Sequence, residues 1–419
     1  MNIISQKKVM GMRLLVVFFA GLLAIQGCKQ VTGSELDETE DTPGTSIPNT
    51  PPPDLPSNLQ TGTTPEIATE RLKHYLSKDD FDALFPKRYG SDEWAKQNPG
   101  KQKVDYFSHA NLLRAIEIMA NFEVITETRR HEEGYFDYNS RQTLIRKDTG
   151  GKTIIYTGPS FNDQYINNLP IDITARLDFG SFLAQGDEND KRRELAAFLA
   201  NISQETGRGE GADRLLGGLF YNEEIAYVGS SNTTDYSAGK WDDPELPHPD
   251  FPAVKGKSYH GRGPMQLSWN YNYGAASTVI FGNKDTLLNK PEMVTEDGIW
   301  GWATAIWFWM TPHDGKPSCH QIMTRTYSNG KITWNPSPTE LLANRTNPGF
   351  GMTIMVINGG LEGNKTISDS RIANRVNLYG HFTKVFGATT TKEKLDTQGM
   401  VAEKKDEGTD KKVWYEKNL

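Results

Sequence analysis

Residues 191–207 read KRRELAAFLANISQETG, and this stretch decides the fold class. Its apolar residues recur at i, i+3, i+4 and i+7, which is the spacing of one face of an α-helix. They are Leu195, Phe198, Leu199 and Ile202. Gly207 follows the last turn, where a glycine often ends a helix. The stretch therefore predicts an α-helix with one buried face.

Three other stretches carry helical signals. Residues 76–86, LSKDDFDALFP, start with a serine capping signal, and residues 111–122, NLLRAIEIMANF, repeat apolar residues at helical spacing. Residues 298–310, GIWGWATAIWFWM, are apolar on every side, as in a fully buried helix. Two β-prone runs, 143–147 and 153–157, flank a turn sequence and predict one hairpin. The expected fold class is mainly α.

The composition excludes several classes of protein. The chain has 419 residues, with 46 Lys and Arg against 53 Asp and Glu, and no basic stripe that would indicate nucleic-acid binding. Its two cysteines, Cys28 and Cys319, rule out a disulfide scaffold and a cysteine-rich zinc site. His313, Cys319 and His320 do not make a tetrahedral ligand set, so no metal and no cofactor is expected.

The first 28 residues resemble a secretion signal. Basic residues precede the apolar run 14–25, whose 12 residues are too few to span a bilayer comfortably but fit a signal peptide. The run ends in Ile-Gln-Gly before Cys28, which resembles a bacterial lipobox; an ordinary signal peptide with a chance cysteine is the alternative. We therefore expect removal of residues 1–27, lipidation of Cys28, and a lipid-anchored protein of the bacterial cell envelope, in the outer membrane and outside the cytoplasm.

Two polar segments flank the helical part of the chain. Residues 28–66 lack apolar periodicity and are rich in proline and threonine, which predicts a solvated tether. Residues 391–419 form a mixed-charge run, which we interpret as a solvated tail. The folded domain is therefore expected at 67–390.

Three carboxylic acids lie where they could support catalysis. Glu205 falls about 70° from the centre of the buried stripe of its helix, so partial burial would raise its pKa, as a general acid requires. A surface glutamate near a helix end is the alternative. Glu223 and Glu224 are adjacent in GLFYNEEIAYV, residues 218–228, either as a base with its neighbour or as two exposed residues on a turn.

Residues 259–274, YHGRGPMQLSWNYNYG, combine aromatic rings, amides and a hydroxyl within a short segment. Aromatic faces pack on sugar rings, while amides and hydroxyls bind sugar hydroxyls. The segment therefore favours a carbohydrate-binding groove.

Five motifs that occur in order resemble glycoside hydrolase family 19. They are ELAAFLANISQETG (194–207), KSYHGRGPMQLSWNYNYG (257–274), AIWFWMTPHDGKPSCH (305–320), PGFGMTIMVINGGLE (348–362) and SRIANRVNLYGHFTKVFG (370–387). The resemblance implies a bilobal, lysozyme-like α+β fold, mainly helical, with a substrate groove between the lobes. It implies inverting hydrolysis of β-1,4-linked N-acetylglucosamine polymers by the domain at 67–390. Residues 123–180 form a longer insertion than the family pattern leads us to expect.

The resemblance also implies catalytic roles. Glu205 takes the place of the general acid. Counting from Gly218 puts Glu224 in the place of the general base, whereas counting from Phe220 puts Glu223 there; we prefer Glu224. Ser268 is best placed beside the base, where it would orient the attacking water.

Substrate contacts are implied for six further residues: Gln266, Tyr271, Asn272, Lys316, Asn358 and Arg375, of which Arg375 resembles the arginine that interacts with the catalytic carboxyls. Glu362 resembles a structural acid of the same network. Two positions depart from the common pattern, Gln204 and His260, and both could alter sugar affinity.

These observations predict an endo-acting, inverting chitinase that acts as a monomer on chitin or chitooligosaccharides. A glycosidase of the same fold that cleaves peptidoglycan is the first alternative, because that glycan is also β-1,4-linked. A sugar-binding lipoprotein without turnover is the second alternative. The presence of Glu205, a candidate base and Ser268 argues against the second.

Overall fold

The computed structural model describes residues 50–100, 103–129, 140–165, 167–209, 212–240, 243–312, 317–324, 349–390 and 393–400, with two short strands beyond them.

The N-terminal part of the domain consists of four short helices. The four helices are α1 (Pro65–Tyr75), α2 (Lys78–Leu84), α3 (Asp92–Gln97) and α4 (His109–Met119). Each follows a Ser or Thr whose hydroxyl accepts a backbone N–H of the first turn. The capping signal predicted at Ser77 is confirmed, because its Oγ accepts the Asp80 N–H at 3.1 Å.

A four-stranded antiparallel sheet follows, with strand order β3-β2-β1-β4. Its strands are β1 (Phe122–Arg129), β2 (Ser140–Arg146), β3 (Lys152–Thr157) and β4 (Ile171–Asp178). The predicted hairpin is confirmed as β2–β3, and it is part of this larger sheet. Val124 and Leu144 lie opposite each other and are buried against the helical body. The sheet therefore accounts for most of the insertion at 123–180.

The helix predicted around residue 195 is α5 (Glu188–Thr206). It is buried on nearly all sides, whereas the sequence predicted one buried face. The difference arises from charged residues on the polar side of the stripe, since Arg192, Arg193 and Glu194 are buried and form ion pairs. A helix of this kind lies at the centre of the domain rather than on its surface.

The remaining elements complete a mainly helical domain. They are α6 (Ala212–Leu216), β5 (Gly239–Lys240), β6 (Asp243–Pro247), α7 (Asn270–Phe281), α8 (Asp285–Asn289), α9 (Met293–Glu296), α10 (Gly298–Met310), α11 (Cys319–Thr324), α12 (Gly349–Glu362), α13 (Ser370–Phe386), β7 (Lys404–Lys405) and β8 (Lys412–Val413). The buried helix predicted at 298–310 is confirmed as α10, most of whose residues are buried.

The folded part extends further than predicted at both ends. Leu55 is 3% exposed and joins the core, and Arg71 donates to the carbonyls of Leu59 and Gly62. At the other end, Thr397 and Met400 are fully buried. Packing therefore begins before residue 67 and continues beyond residue 390, because apolar and capping residues are interspersed in segments whose overall composition is polar.

Among the described residues, no helix combines the length and the apolar character needed to cross a bilayer. The apolar run 14–25 and Cys28 lie outside the described residues, as do His313 and Lys316.

Candidate active site

Glu205 lies in the last turn of α5, where the chain folds back on the helix end. The Thr206 hydroxyl accepts the Leu219 N–H at 2.9 Å, and the Thr206 carbonyl accepts the N–H groups of Phe220 and Tyr221. Glu223 and Glu224 follow Tyr221 closely. Because three residues of extended chain span at most about 11 Å, this turn keeps the carboxyl-bearing segment near Glu205.

Arg375 of α13 holds the Glu205 carboxyl. Its Nη2 donates to Glu205 Oε1 at 2.5 Å, and the Glu205 side chain is 17% exposed. Burial raises the pKa of Glu205 above its ordinary value, and the Arg375 charge opposes that rise. The carboxyl is thus held by Arg375 and remains partly accessible to solvent.

Arg375 also binds a second, fully buried carboxylate. Its Nε and Nη2 donate to Glu362 at 3.0 and 2.7 Å, and its Nη1 donates to Asn201 Oδ1 at 3.0 Å. Asn358 Nδ2 donates to Glu362 Oε2 at 2.9 Å, from a position where α12 is kinked. Three residues named from the sequence, Arg375, Asn358 and Glu362, therefore meet Glu205 in one network.

Glu223 and Glu224 occupy different surroundings. Glu223 Oε1 lies 2.8 Å from Nε2 of the buried His260 and 3.6 Å from Nε of Arg262. Glu224 accepts the Tyr236 hydroxyl at 3.1 Å and the Gly261 N–H at 3.1 Å. The two neighbouring carboxylates thus have separate partners.

Antiparallel pairing brings Glu224 to the same side as Ser268. Glu223 lies opposite Arg262, and the Glu224 N–H donates to the Gly261 carbonyl at 2.9 Å. Side chains of directly opposite residues project from the same face of two paired strands. The Glu224 side chain therefore projects from the face on which a Cβ atom at Gly261 would lie. A Cβ at Gly261 would meet the Gln266 side chain and lie 3.4 Å from Ser268 Oγ.

The loop that carries Ser268 is strained. Gln266 and Trp269 both have positive φ, 48° and 76°, which is uncommon for residues other than glycine. Such strain concentrates at functional sites. Within this loop, Gln266 donates to Gly263 O, Ser268 donates to Gln266 O, and Asn272 donates to Ser268 O, each at 2.9 Å. These bonds fix the orientation of three residues that the sequence assigned to the substrate site.

Tyr271 packs between two rings at the start of α7. Its ring stacks on Trp269, with a centroid distance of 6.2 Å and an interplanar angle of 15°. It also stacks on His248, with a centroid distance of 6.0 Å and an interplanar angle of 25°. Asn272 follows it on the same helix, so both residues lie next to the Ser268 loop.

The described residues include no group of three or more His, Cys, Asp or Glu side chains arranged to hold a metal. His320 has two protein partners: its Nδ1 lies 2.6 Å from Glu194 Oε1, and its Nε2 lies 3.2 Å from Gln185 Oε1.

The sequence did not indicate three of the partners at the site. Tyr236 binds Glu224, Asn201 binds Arg375, and Arg214 donates to Gln204 beside the acid. Asn201 lies one turn before Glu205 on α5, so its helical spacing was a usable signal. Tyr236 lies in a turn and Arg214 lies in the five-residue helix α6, and neither segment is long enough for a periodicity that identifies a partner.

A family model described as class I chitinase, glycoside hydrolase family 19, matches residues 163–397, more than half of the chain. The chain belongs to this family. It is therefore an enzyme of the glycoside hydrolase class, and the mainly α fold with a small sheet agrees with that membership. The N-terminal helices and strands β1 to β3 precede the matched residues.

Curated relatives are plant enzymes. Chitinase 10 of Oryza sativa subsp. japonica is 41% identical over 218 residues, which cover 51% of this chain and 67% of the relative. Endochitinase 1 of Theobroma cacao is 37% identical over 252 residues, which cover 59% of this chain and 67% of the relative. The crystal structure of chitinase C from Streptomyces griseus HUT6037 aligns at 26% identity over 71% of this chain and 100% of its own, with a TM-score of 0.38.

Proposed function

We propose that this enzyme cleaves β-1,4 linkages within N-acetylglucosamine polymers by single displacement, with Glu205 as general acid. The observation that carries the proposal is the Glu205–Arg375 contact at the edge of a buried network. A general acid must keep its proton at the working pH, and burial acts in that direction on Glu205.

The network also serves the acid after it has released its proton. The carboxylate that forms lies against the Arg375 guanidinium, whose charge stabilises it. Glu362 and Asn201 hold that guanidinium in place from two further sides. The acid therefore keeps one geometry in both protonation states.

Glu224 is the proposed general base, with Ser268 orienting the attacking water. In an inverting site the two carboxyl groups stand about 6.5–9.5 Å apart, which leaves room for that water. The support for Glu224 is that it shares a side with Ser268, whereas Glu223 is paired with His260. Glu223 remains the alternative base and is tested below.

The proposed substrate contacts come from two sides. Gln266, Tyr271 and Asn272 belong to the Ser268 loop and the start of α7, and Asn358 belongs to the Arg375 network. Lys316, outside the described residues, is proposed as a further contact by its motif.

The proposed location is the bacterial cell envelope. Cys28 in its lipobox-like setting would carry the lipid, residues 1–27 would be removed, and the domain would act outside the cytoplasm as a monomer. This location suits an enzyme with an extracellular polymer as substrate.

The proposed activity is tested by incubating the purified protein with colloidal chitin and, separately, with purified peptidoglycan sacculi. Glu205→Gln serves as the matched variant, since the amide is nearly isosteric but delivers no proton. We expect chitooligosaccharides from chitin and a loss of about 10²- to 10⁴-fold in turnover for the variant. Products from sacculi alone would assign the enzyme to peptidoglycan, and sugar binding without products would make it a binding protein. A Glu205→Gln protein with more than about a tenth of normal turnover would contradict the acid assignment.

A further inference from the structure

A large cleft separates the four-stranded sheet from the helices of the catalytic domain. Its volume is about 1250 Å³. Pockets for single small ligands usually measure about 300–1,000 Å³, so this space is large enough for several linked units. Three of the four strands that form its far side, β1 to β3, precede the residues that the family model matches. The cleft is therefore in large part a feature of this chain's own insertion.

A row of paired residues that crosses the sheet lines the cleft. Tyr156 pairs with Gln142, Gln142 with Thr126, and Thr126 with Ala175, so these four residues form a row across all four strands. Facing residues share a side of the sheet, and all four line the cleft. A ring, an amide and a hydroxyl are thus presented together along a line perpendicular to the strands.

The sheet is fixed to the domain at one end. Lys147 Nζ donates to Asp178 Oδ1 at 2.6 Å and to Thr63 O at 3.0 Å. Arg71 donates to the carbonyls of Gly180 and Phe182, directly after β4. These buried and half-buried contacts give the row a defined position relative to the helices.

The opposite wall begins at the proposed active site. Tyr271 and Asn272 line the cleft, and Asn272 also donates to Ser268 O. The Tyr271 ring stacks on His248, and His248 stacks in turn on Phe251. The centroids of the His248 and Phe251 rings are 5.8 Å apart, with an angle of 28° between the ring planes. The cleft wall therefore adjoins the loop that carries Ser268 through Asn272.

The lining favours an uncharged, polar ligand. Of the described residues that line the cleft, two are Arg or Lys and three are Asp. At least two of these five are paired outside the cleft, Arg176 with Glu123 and Asp178 with Lys147. Amides and hydroxyls beside aromatic rings match a polymer with many hydroxyl and acetamido groups. Because acidic side chains outnumber Arg and Lys among the described lining residues, these residues do not favour a glycan that carries carboxylates.

We propose that the sheet forms the second wall of an additional saccharide-binding cleft, which holds several units of an uncharged amino-sugar polymer beyond the Ser268 loop. This inference rests on the proposed function. It assigns the insertion a role in recognising chain length.

The test compares kcat/KM on the tetramer and the hexamer of β-1,4-linked N-acetylglucosamine. In Gln142→Ala and in Tyr156→Ala, the ratio of kcat/KM on the hexamer to kcat/KM on the tetramer should fall about threefold to tenfold. A fall of that size corresponds to the loss of one hydrogen bond or one ring contact. Thr143→Ala is the matched control, because Thr143 is the next residue on β2 and is not among the residues that line the cleft. Its ratio should equal that of the unmodified enzyme. Thermal unfolding checks that each variant is folded.

Each remaining outcome has a definite meaning. If the enzyme cleaves both oligomers and neither variant changes the ratio, the cleft proposal is wrong and the proposed function stands. If the enzyme cleaves neither oligomer, hexamer binding is measured by calorimetry with and without Gln142→Ala. Weaker binding in the variant would then support the cleft without the hydrolysis, and unchanged or absent binding would overturn both.

Discussion

At the scale of single residues, Arg375 is the group on which the site is organised. Its guanidinium donates to Glu205, Glu362 and Asn201, three side chains that come from two different helices. Burial pushes the pKa of Glu205 upward, and two arginine charges push it downward, those of Arg375 and Arg214. The pKa of this carboxyl thus depends on opposing effects that can be altered one at a time.

Removing the Arg214 charge should raise the pKa of Glu205, because that charge favours the ionised carboxyl. The acid is active while protonated, so the high-pH limb of the kcat/KM profile reports its ionisation and should move to higher pH in Arg214→Met. Arg208→Met is the control, since Arg208 binds Glu93 and is not among the groups that perturb Glu205. A limb that stays in place, or moves to lower pH, would show that Glu205 does not set it.

The two candidate bases are separated by a pair of matched substitutions. Glu224→Gln should lower kcat about 10²- to 10⁴-fold with little change in substrate affinity, because it removes the group that activates water. Glu223→Gln should have a mild effect, since Glu223 is bound to His260. Steady-state kinetics on the hexamer measure both. The opposite ranking would assign the base to Glu223.

Motif resemblance identified Glu205, Arg375, Asn358 and Glu362, and all four are in contact as one network. The same sequence left Glu223 and Glu224 unresolved. What distinguishes them is a backbone pairing with residues 261–262, about forty positions further along the chain. No local pattern indicates which of two adjacent side chains a distant strand turns toward the site.

At the scale of elements, α5 shows why helical periodicity predicted too little burial. The pattern predicted one apolar stripe, but Glu194, which lies about 90° from the centre of that stripe, is 0% exposed. Its carboxylate accepts the Trp309 Nε1–H at 3.0 Å and the Leu183 N–H at 3.1 Å, and it contacts His320. A charged residue is buried there because three partners from other elements bind it, which the helix sequence alone does not contain.

Glu194→Ala should therefore destabilise the domain strongly. It leaves Trp309, His320 and a backbone N–H without their acceptor, and each buried donor left without a partner costs about 1–3 kcal/mol. Glu194→Gln keeps an acceptor oxygen and should cost less. The free energy of unfolding in urea measures both, with Glu117→Ala on the exposed face of α4 as control. Equal stability of Glu194→Ala and the control would contradict a stabilising role for this network.

At the scale of the whole molecule, composition located the folded domain but not its limits. Segments rich in proline or charge read as tether and tail, yet Leu55, Thr397 and Met400 are in the core. In the same way, the hairpin β2–β3 was predicted from the sequence, whereas β1 and β4, which complete the sheet, were not. The limits of the domain and the full extent of the sheet both depend on contacts between residues far apart in the sequence. Local composition contains no information about such contacts.

Membrane attachment should depend on Cys28. Cys28→Ser should block lipidation, so that the precursor stays uncleaved or the protein moves to the soluble fraction; several acyl chains are needed for stable anchoring. Cys319→Ser is the control, because it changes the buried cysteine of α11 and leaves the lipobox intact. Cell fractionation with detergent extraction measures the distribution. Membrane association that is the same in Cys28→Ser as in the unmodified protein would remove the lipoprotein proposal.

The central claim is single displacement by Glu205 and a base that activates water from the opposite side of the sugar. It is tested most directly by NMR of the anomeric protons in the first products released from the β-linked hexamer, before the anomers equilibrate. Inversion predicts products that are initially the α-anomer. Products that are initially the β-anomer would contradict the account.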